Sequence, residues 1–195
     1  MPEPYEGAHG FVFLHDDDVR APAEVIGELR QHLRTLDRPD GPIFFAETFQ
    51  GDFAGFAHFA ADDLEGLAEL TGSLLFDAGI HSDYAVEGVV YKHSQTSAPK
   101  GPKRKSPRFC AICRVRTSET PAVVLDAIGQ EFDESEPFVG GSRVIGTFQL
   151  LIELGSDDEP GLQAAIERML GVSGVAAAQV ATTDTGRRED EGRSA

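Results

Sequence analysis

Apolar and polar positions along the chain fall into two patterns, short strand-like runs and longer stretches at helical spacing. Gly10-Phe-Val-Phe-Leu-His15 is apolar enough for a buried strand, and Asp16-Asp17-Asp18 ends it. A helix is expected around Pro22, where Val25, Ile26, Leu29, Leu33 and Leu36 recur on one face until Arg38-Pro-Asp-Gly-Pro42 breaks it. Ile43 to Phe49 and Phe53 to Ala60 read as a hairpin around Gln50-Gly51-Asp52. Asp62 or Asp63 can cap a second helix with the face Leu64, Leu67, Thr71, Leu74 and Leu75. Gly79 stops that helix, and His81 to Tyr91 supplies a last strand.

The pattern then recurs. Phe109 to Val115 reads as a strand, and Thr120-Pro121 as an N-cap followed by a first-turn proline, before the helix face Val124, Leu125 and Ile128. Phe138 to Ile145 and Phe148 to Leu154 form a hairpin around Gly146-Thr147. Leu162, Ala165, Ile166, Met169 and Leu170 make the next helix face, Gly174 stops it, and Val175 to Thr182 is the final strand. The recurrence is visible in identities as well. With an offset of 95 positions, residues 51–85 lie over 146–180 without a gap and share 8 of 35 residues, among them Gly51/Gly146, Phe53/Phe148, Asp63/Asp158 and Gly79/Gly174. Fixed-period self-similarity is the mark of a repeated structural unit.

Each unit thus reads β-α-β-β-α-β, the ferredoxin-like arrangement with strand order 4-1-3-2. The fold class expected is α+β. The domains expected are a first repeat over 1–93, a basic Pro-rich linker over 94–108, a second repeat over 109–184 and a disordered tail over 185–195. Such a sheet has helices on one face only. Phe53-Ala-Gly-Phe-Ala-His-Phe-Ala60 and Gln149-Leu-Leu-Ile-Glu-Leu154 have little polar character in either alternating set, so the two sheets are expected to pack face to face as an intramolecular pseudo-dimer.

Composition narrows the function classes. The chain has 195 residues, 41% of them hydrophobic, and a net charge of −16. Residues 1–91 carry 4 basic and 18 acidic groups, 92–108 carry 6 basic and no acidic groups, and 109–195 carry 7 basic and 15 acidic groups. Two acidic lobes argue against direct DNA binding, which needs clustered Lys and Arg. No apolar run is long enough to span a membrane, and two cysteines outside a secretory context read as reduced thiols in the cytoplasm. No P-loop, Rossmann glycine set, nucleophile elbow or HExxH motif is present, so no cofactor, metal or catalytic residue is assigned.

Gly51-Asp-Phe53 with Asp62-Asp63 and Gly79-Ile80, and Gly146-Thr-Phe148 with Asp157-Asp158 and Gly174-Val175, resemble the Lrp/AsnC ligand-binding (RAM) domain of the dimeric α+β barrel group. The resemblance implies two fused copies without a helix-turn-helix. It implies a non-enzymatic protein that binds an amino acid or related effector and modulates transcription through a partner regulator, or self-associates through sheet or edge surfaces. Ala54 and Gln149 stand where that family usually has an acidic residue. The ligand-binding residues expected are Gly51, Asp52, Phe53, Gly146, Thr147 and Phe148. The alternatives are an α+β barrel enzyme, a monooxygenase or haem-dependent protein using His15, His58 or His81, and a structural assembly module. Cys110-Ala-Ile-Cys113 lies on a strand, where positions three apart face opposite ways, so two separate buried thiols are expected. Lys100, Lys103, Arg104 and Lys105 read as a solvated linker.

Overall fold

The structure is a computed structural model that describes residues 8–14, 21, 23–24, 26–28, 31, 44–61, 63, 65–69, 107–132, 138–144 and 146–184. The chain divides into two compact units, Met1–Lys92 with Val144–Gly146, and His93–Arg143 with Thr147–Ala195.

In the first unit, β1 (Ala8–Leu14), β2 (Phe44–Thr48) and β4 (Gly55–Ala61) form an antiparallel sheet in the order β1-β4-β2, and a two-residue β3 (Gln50–Gly51) lies in the β2–β4 connection. That is the 1-3-2 part of the expected order; the expected last strand, His81 to Tyr91, falls outside the described residues. Residues 26–28 and 65–69 are helical, with Ile26 and Leu67 buried. A Cβ placed on Gly66 would stand 3.5 Å from the Ala61 Cβ, so this helix covers the sheet face of Ala57 and Ala61. Phe11, Phe13, Phe56 and His58 occupy the other face, Phe11 opposite His58 and Phe13 opposite Phe56.

The second unit shows the full repeat. β5 (Phe109–Thr117), α1 (Pro121–Glu131), β6 (Phe138–Arg143), β7 (Leu150–Ser156), α2 (Glu159–Gly171) and β8 (Val175–Asp184) follow in that order. Their antiparallel ladder runs β8-β5-β7-β6, the 4-1-3-2 order read from the sequence. Ala111, Cys113 and Val115 of β5 and Leu150, Ile152 and Leu154 of β7 turn one face toward Val124, Leu125 and Ile128 of α1 and Leu162, Ile166 and Met169 of α2. Each large aliphatic side chain so buried contributes about 1.5–3 kcal/mol, which makes this layer the unit's main source of stability.

The local signals act in different ways. Asp158 caps α2, its Oδ1 accepting from the Gly161 N–H at 2.6 Å, and Asp63 does the same for the Gly66 N–H at 2.8 Å in the first unit. The shared Asp-x-x-Gly spacing is therefore a repeated cap. A Cβ on Gly161 would crowd Ser156 Oγ at 2.6 Å and the capping oxygen at 2.9 Å, which explains the glycine. Thr120 stands at the N-cap of α1 but makes no side-chain cap bond; only its carbonyl receives the Val123 and Val124 N–H groups. Leu170, expected in the α2 core face, is 42% exposed, because it sits past the arc that Leu162, Ile166 and Met169 turn to the sheet.

Candidate functional site

The two glycine turns are placed alike. The connections run from β2 to β4 and from β6 to β7, longer than the tight hairpins the sequence suggested. Gly51 has φ +135° and Gly146 φ +155°, values that favour glycine, and both turns are exposed at Gly51-Asp52 and Gly146-Thr147. The aromatic residues that follow differ. Phe53 is buried, edge-on to Phe13 with centroids 5.2 Å apart, and belongs to the core. Phe148 is half-buried and lies under the Arg114 guanidinium, 4.6 Å from Cζ to ring centroid. Gln149 braces the second turn: its Nε2 donates to the Thr147 carbonyl at 3.0 Å and its Oε1 accepts from the Thr117 N–H at 3.0 Å. In the first unit Ala54 stands at that position and its N–H donates to the Leu14 carbonyl at 2.7 Å.

Arg114 opens a part of the molecule that the sequence reading passed over. The face of the second sheet away from its helices was expected to be apolar. It instead carries Arg114, opposite Leu151 and Gln179, and Glu153, opposite Ile112 and Gly140. Ser142, opposite Leu151, shares that face. Arg114 is 4% and Ser142 7% exposed. Burial holds the Glu153 carboxyl above the usual carboxylate range. The signal was present, since Arg114, Glu153 and Gln179 share one phase of the period-2 alternation, but single strands do not reveal that their polar members align.

The remaining candidates separate by setting. His58 lies on β4, the strand between β1 and β2. Its ring is half-buried and stacked on Phe11, centroids 4.6 Å apart. Around it on the sheet, Phe11 also meets Phe56 at 6.0 Å, and Phe13 meets Phe56 at 5.4 Å. Cys113 is sealed in the helix-facing core, where burial pushes its thiol up to about 12. Cys110 points to the other face, as the strand geometry required, but is half-buried and not fully buried; its thiol lies 3.8 Å from the Pro107 carbonyl. No group of three metal-ligating side chains occurs among the described residues. His15, His81 and Lys100 to Lys105 fall outside those residues. No helix among the described residues is long and apolar enough to cross a membrane.

No protein-family profile and no curated protein matches the sequence. Solved structures do match over the whole chain. A haem-binding protein from Thermus thermophilus is 16% identical with a TM-score of 0.55, covering 98% of this chain and 99% of its own. An arginine-to-alanine variant of chlorite dismutase from Candidatus Nitrospira defluvii is 9% identical with a TM-score of 0.59, covering 96% of each chain. A proposed monooxygenase from Lactobacillus acidophilus NCFM is 10% identical with a TM-score of 0.50, covering 91% and 93%. These likenesses correct the Lrp/AsnC resemblance, and with it the reading as an amino-acid sensor that modulates transcription. The motif misled because its residues are structural: the turn glycines take positive φ, and the aspartates cap helices. What the likenesses establish is the fold, the α+β arrangement of antiparallel sheets found in chlorite dismutase-like dimeric α+β barrels.

Proposed function

We propose that this protein binds haem and serves in haem-dependent oxidative chemistry, with His58 as the residue that would hold the iron. The observation that carries the proposal is a half-buried imidazole that shares its sheet face with the buried rings of Phe11, Phe13 and Phe56. Haem needs an axial donor in apolar surroundings, and a neutral imidazole serves without losing a proton. Two described sulfur donors fit less well. Met169 is fully buried in the packed core, and so is Cys113, whose burial opposes the thiolate that iron requires. Support also comes from the full-length fold likeness to a haem-binding protein and to chlorite dismutase.

Bound haem would supply electron transfer and oxygen chemistry that side chains lack. The chain's own contribution is positioning and exclusion of water. Phe11 fixes the plane of the His58 ring by stacking, and the buried rings of Phe13, Phe53 and Phe56 keep the surroundings dry. We place the protein in the cytoplasm, a compartment that keeps thiols such as Cys110 and Cys113 reduced.

Titration of the full-length apoprotein with hemin tests the proposal. The expected result is a saturable Soret band with one haem per chain, lost in His58→Phe while the far-UV circular dichroism is unchanged. A wild-type protein without a Soret shift, or an unaltered band in His58→Phe, overturns it. Peroxide-dependent dye oxidation and oxygen release from chlorite by the loaded protein then decide whether it is an enzyme.

A further inference from the structure

We infer that Phe11 is a positioning residue for His58: it holds the imidazole in one ring plane, and that plane tunes the reduction potential of an iron held by His58. The iron rests on the haem reading above. The inference goes beyond that reading in giving the tuning to a buried ring that acts only through the imidazole.

Staggering about χ1 aims a histidine side chain, but χ2 joins an sp³ to an sp² carbon and its wells are broad, so the rotamer alone leaves the ring plane loose. A contact has to fix it. The antiparallel ladder sets Phe11 directly opposite His58, and the two rings lie 4.6 Å apart at 24°. Phe11 in turn stacks on Phe56, 6.0 Å away at 19°. The other described ring pairs of this cluster are tilted or edge-on, at 80° for Phe13–Phe53, 84° for Phe49–Phe56, 51° for Phe13–Phe56 and 45° for Phe49–Phe53. Such contacts fill a core without aligning its rings. The near-parallel pairs are the ones made by Phe11, and they pass one orientation from Phe56 to the imidazole.

The support is rigid. Phe11 and Phe56 are buried, and Phe56 is also packed by Phe13 and Phe49, so Phe11 cannot turn with the imidazole without displacing close-packed rings. A metal binds a ring nitrogen in the plane of the imidazole, so a phenyl on the ring face and a metal at the ring edge do not compete. The plane of the ring decides which iron d orbital its π electrons overlap, and groups that orient a metal's ligand tune the metal through it.

The ring plane can be read without haem. In a proton–carbon correlation spectrum of the full-length apoprotein, the ring current of Phe11 should move the His58 ring protons upfield of the other histidine signals, the His58 peaks being assigned by their loss in His58→Phe. Phe11→Leu should remove the upfield shift and Phe11→Tyr should keep it. Phe53→Leu controls for a merely structural role: its ring is equally buried but packs on Phe13 and Phe49, so the shift should persist although stability falls. With hemin added, Phe11→Leu should bind it about two- to tenfold more weakly, the worth of one aromatic pair. It should also change the reduction potential and the electron paramagnetic resonance g values, whereas Phe53→Leu should leave both as in the wild type. A wild-type His58 signal without the upfield shift overturns the positioning, a result that stands even if Phe11→Leu does not fold. An undiminished shift in Phe11→Leu overturns it too, and an unaltered potential in that variant overturns the tuning. A wild type that shows the shift but no Soret band overturns the haem reading, and the tuning with it, while the positioning stands.

Discussion

Replacing Gly174 by alanine tests how tightly the second unit's α2–β8 junction is specified. Gly174 has φ +88°, where an L-residue is strained by about 1–2 kcal/mol. Its new Cβ would also stand 2.6 Å from Cγ2 of Val124, nearer than real Cβ contacts come, and Val124 is fully buried. Relief requires shifting a packed helix, which costs about 1–3 kcal/mol. The two terms together predict a loss of about 2–5 kcal/mol. Urea unfolding followed by circular dichroism at 222 nm should therefore show a midpoint lowered by at least about 1 M. Gly171, at the end of α2, is the control. A Cβ there meets nothing within 4 Å, so Gly171→Ala should be neutral or stabilising by up to about 1 kcal/mol. Adding Val124→Ala to Gly174→Ala removes the offending methyl, and the pair should couple favourably by about 1 kcal/mol or more. A Gly174→Ala midpoint within about 0.3 M of the wild type would show that the junction yields freely and refute the reasoning.

Asp158→Ala, which removes the oxygen bonded to the Gly161 N–H, should destabilise the protein by about 1 kcal/mol, whereas Thr120→Ala should have little effect because Thr120 makes no side-chain cap bond. Equal losses in chemical denaturation would contradict the assignment of the caps. Glu153→Gln should stabilise the protein at neutral pH. Burial raises the folded-state pKa of Glu153 above its ordinary 4.5, so its contribution is most favourable below pH 4.5 and is lost as pH rises through the folded value. The advantage of the variant should accordingly vanish as the pH of the urea experiment falls to 4.5, and a pH-independent difference would remove burial of the carboxyl as its cause.

The sequence by itself determined the β-α-β-β-α-β order and 4-1-3-2 ladder of the second unit and the 1-3-2 part of the first, because these follow from local and short-range physics. Period-2 and period-3.6 patterns mark elements, and Asp63 and Asp158 cap helices through atoms three residues away. Gly51, Gly146 and Gly174 are required by backbone conformation alone. Tertiary structure decided what depends on neighbours distant in the chain. The strand pattern placed Cys110 and Cys113 on opposite faces, but only packing put Cys113 at the centre of a helix-covered core and left Cys110 half-buried. Likewise, Arg114, Glu153 and Gln179 come from three separate strands, and only the register of β5 with β7 and β8 sets them on one buried face. The short motif that resembled Lrp/AsnC encoded turns and caps, which any ferredoxin-like repeat can share. The polar chemistry of this chain lies in cross-strand pairings, and a pairing becomes visible only when the ladder has formed.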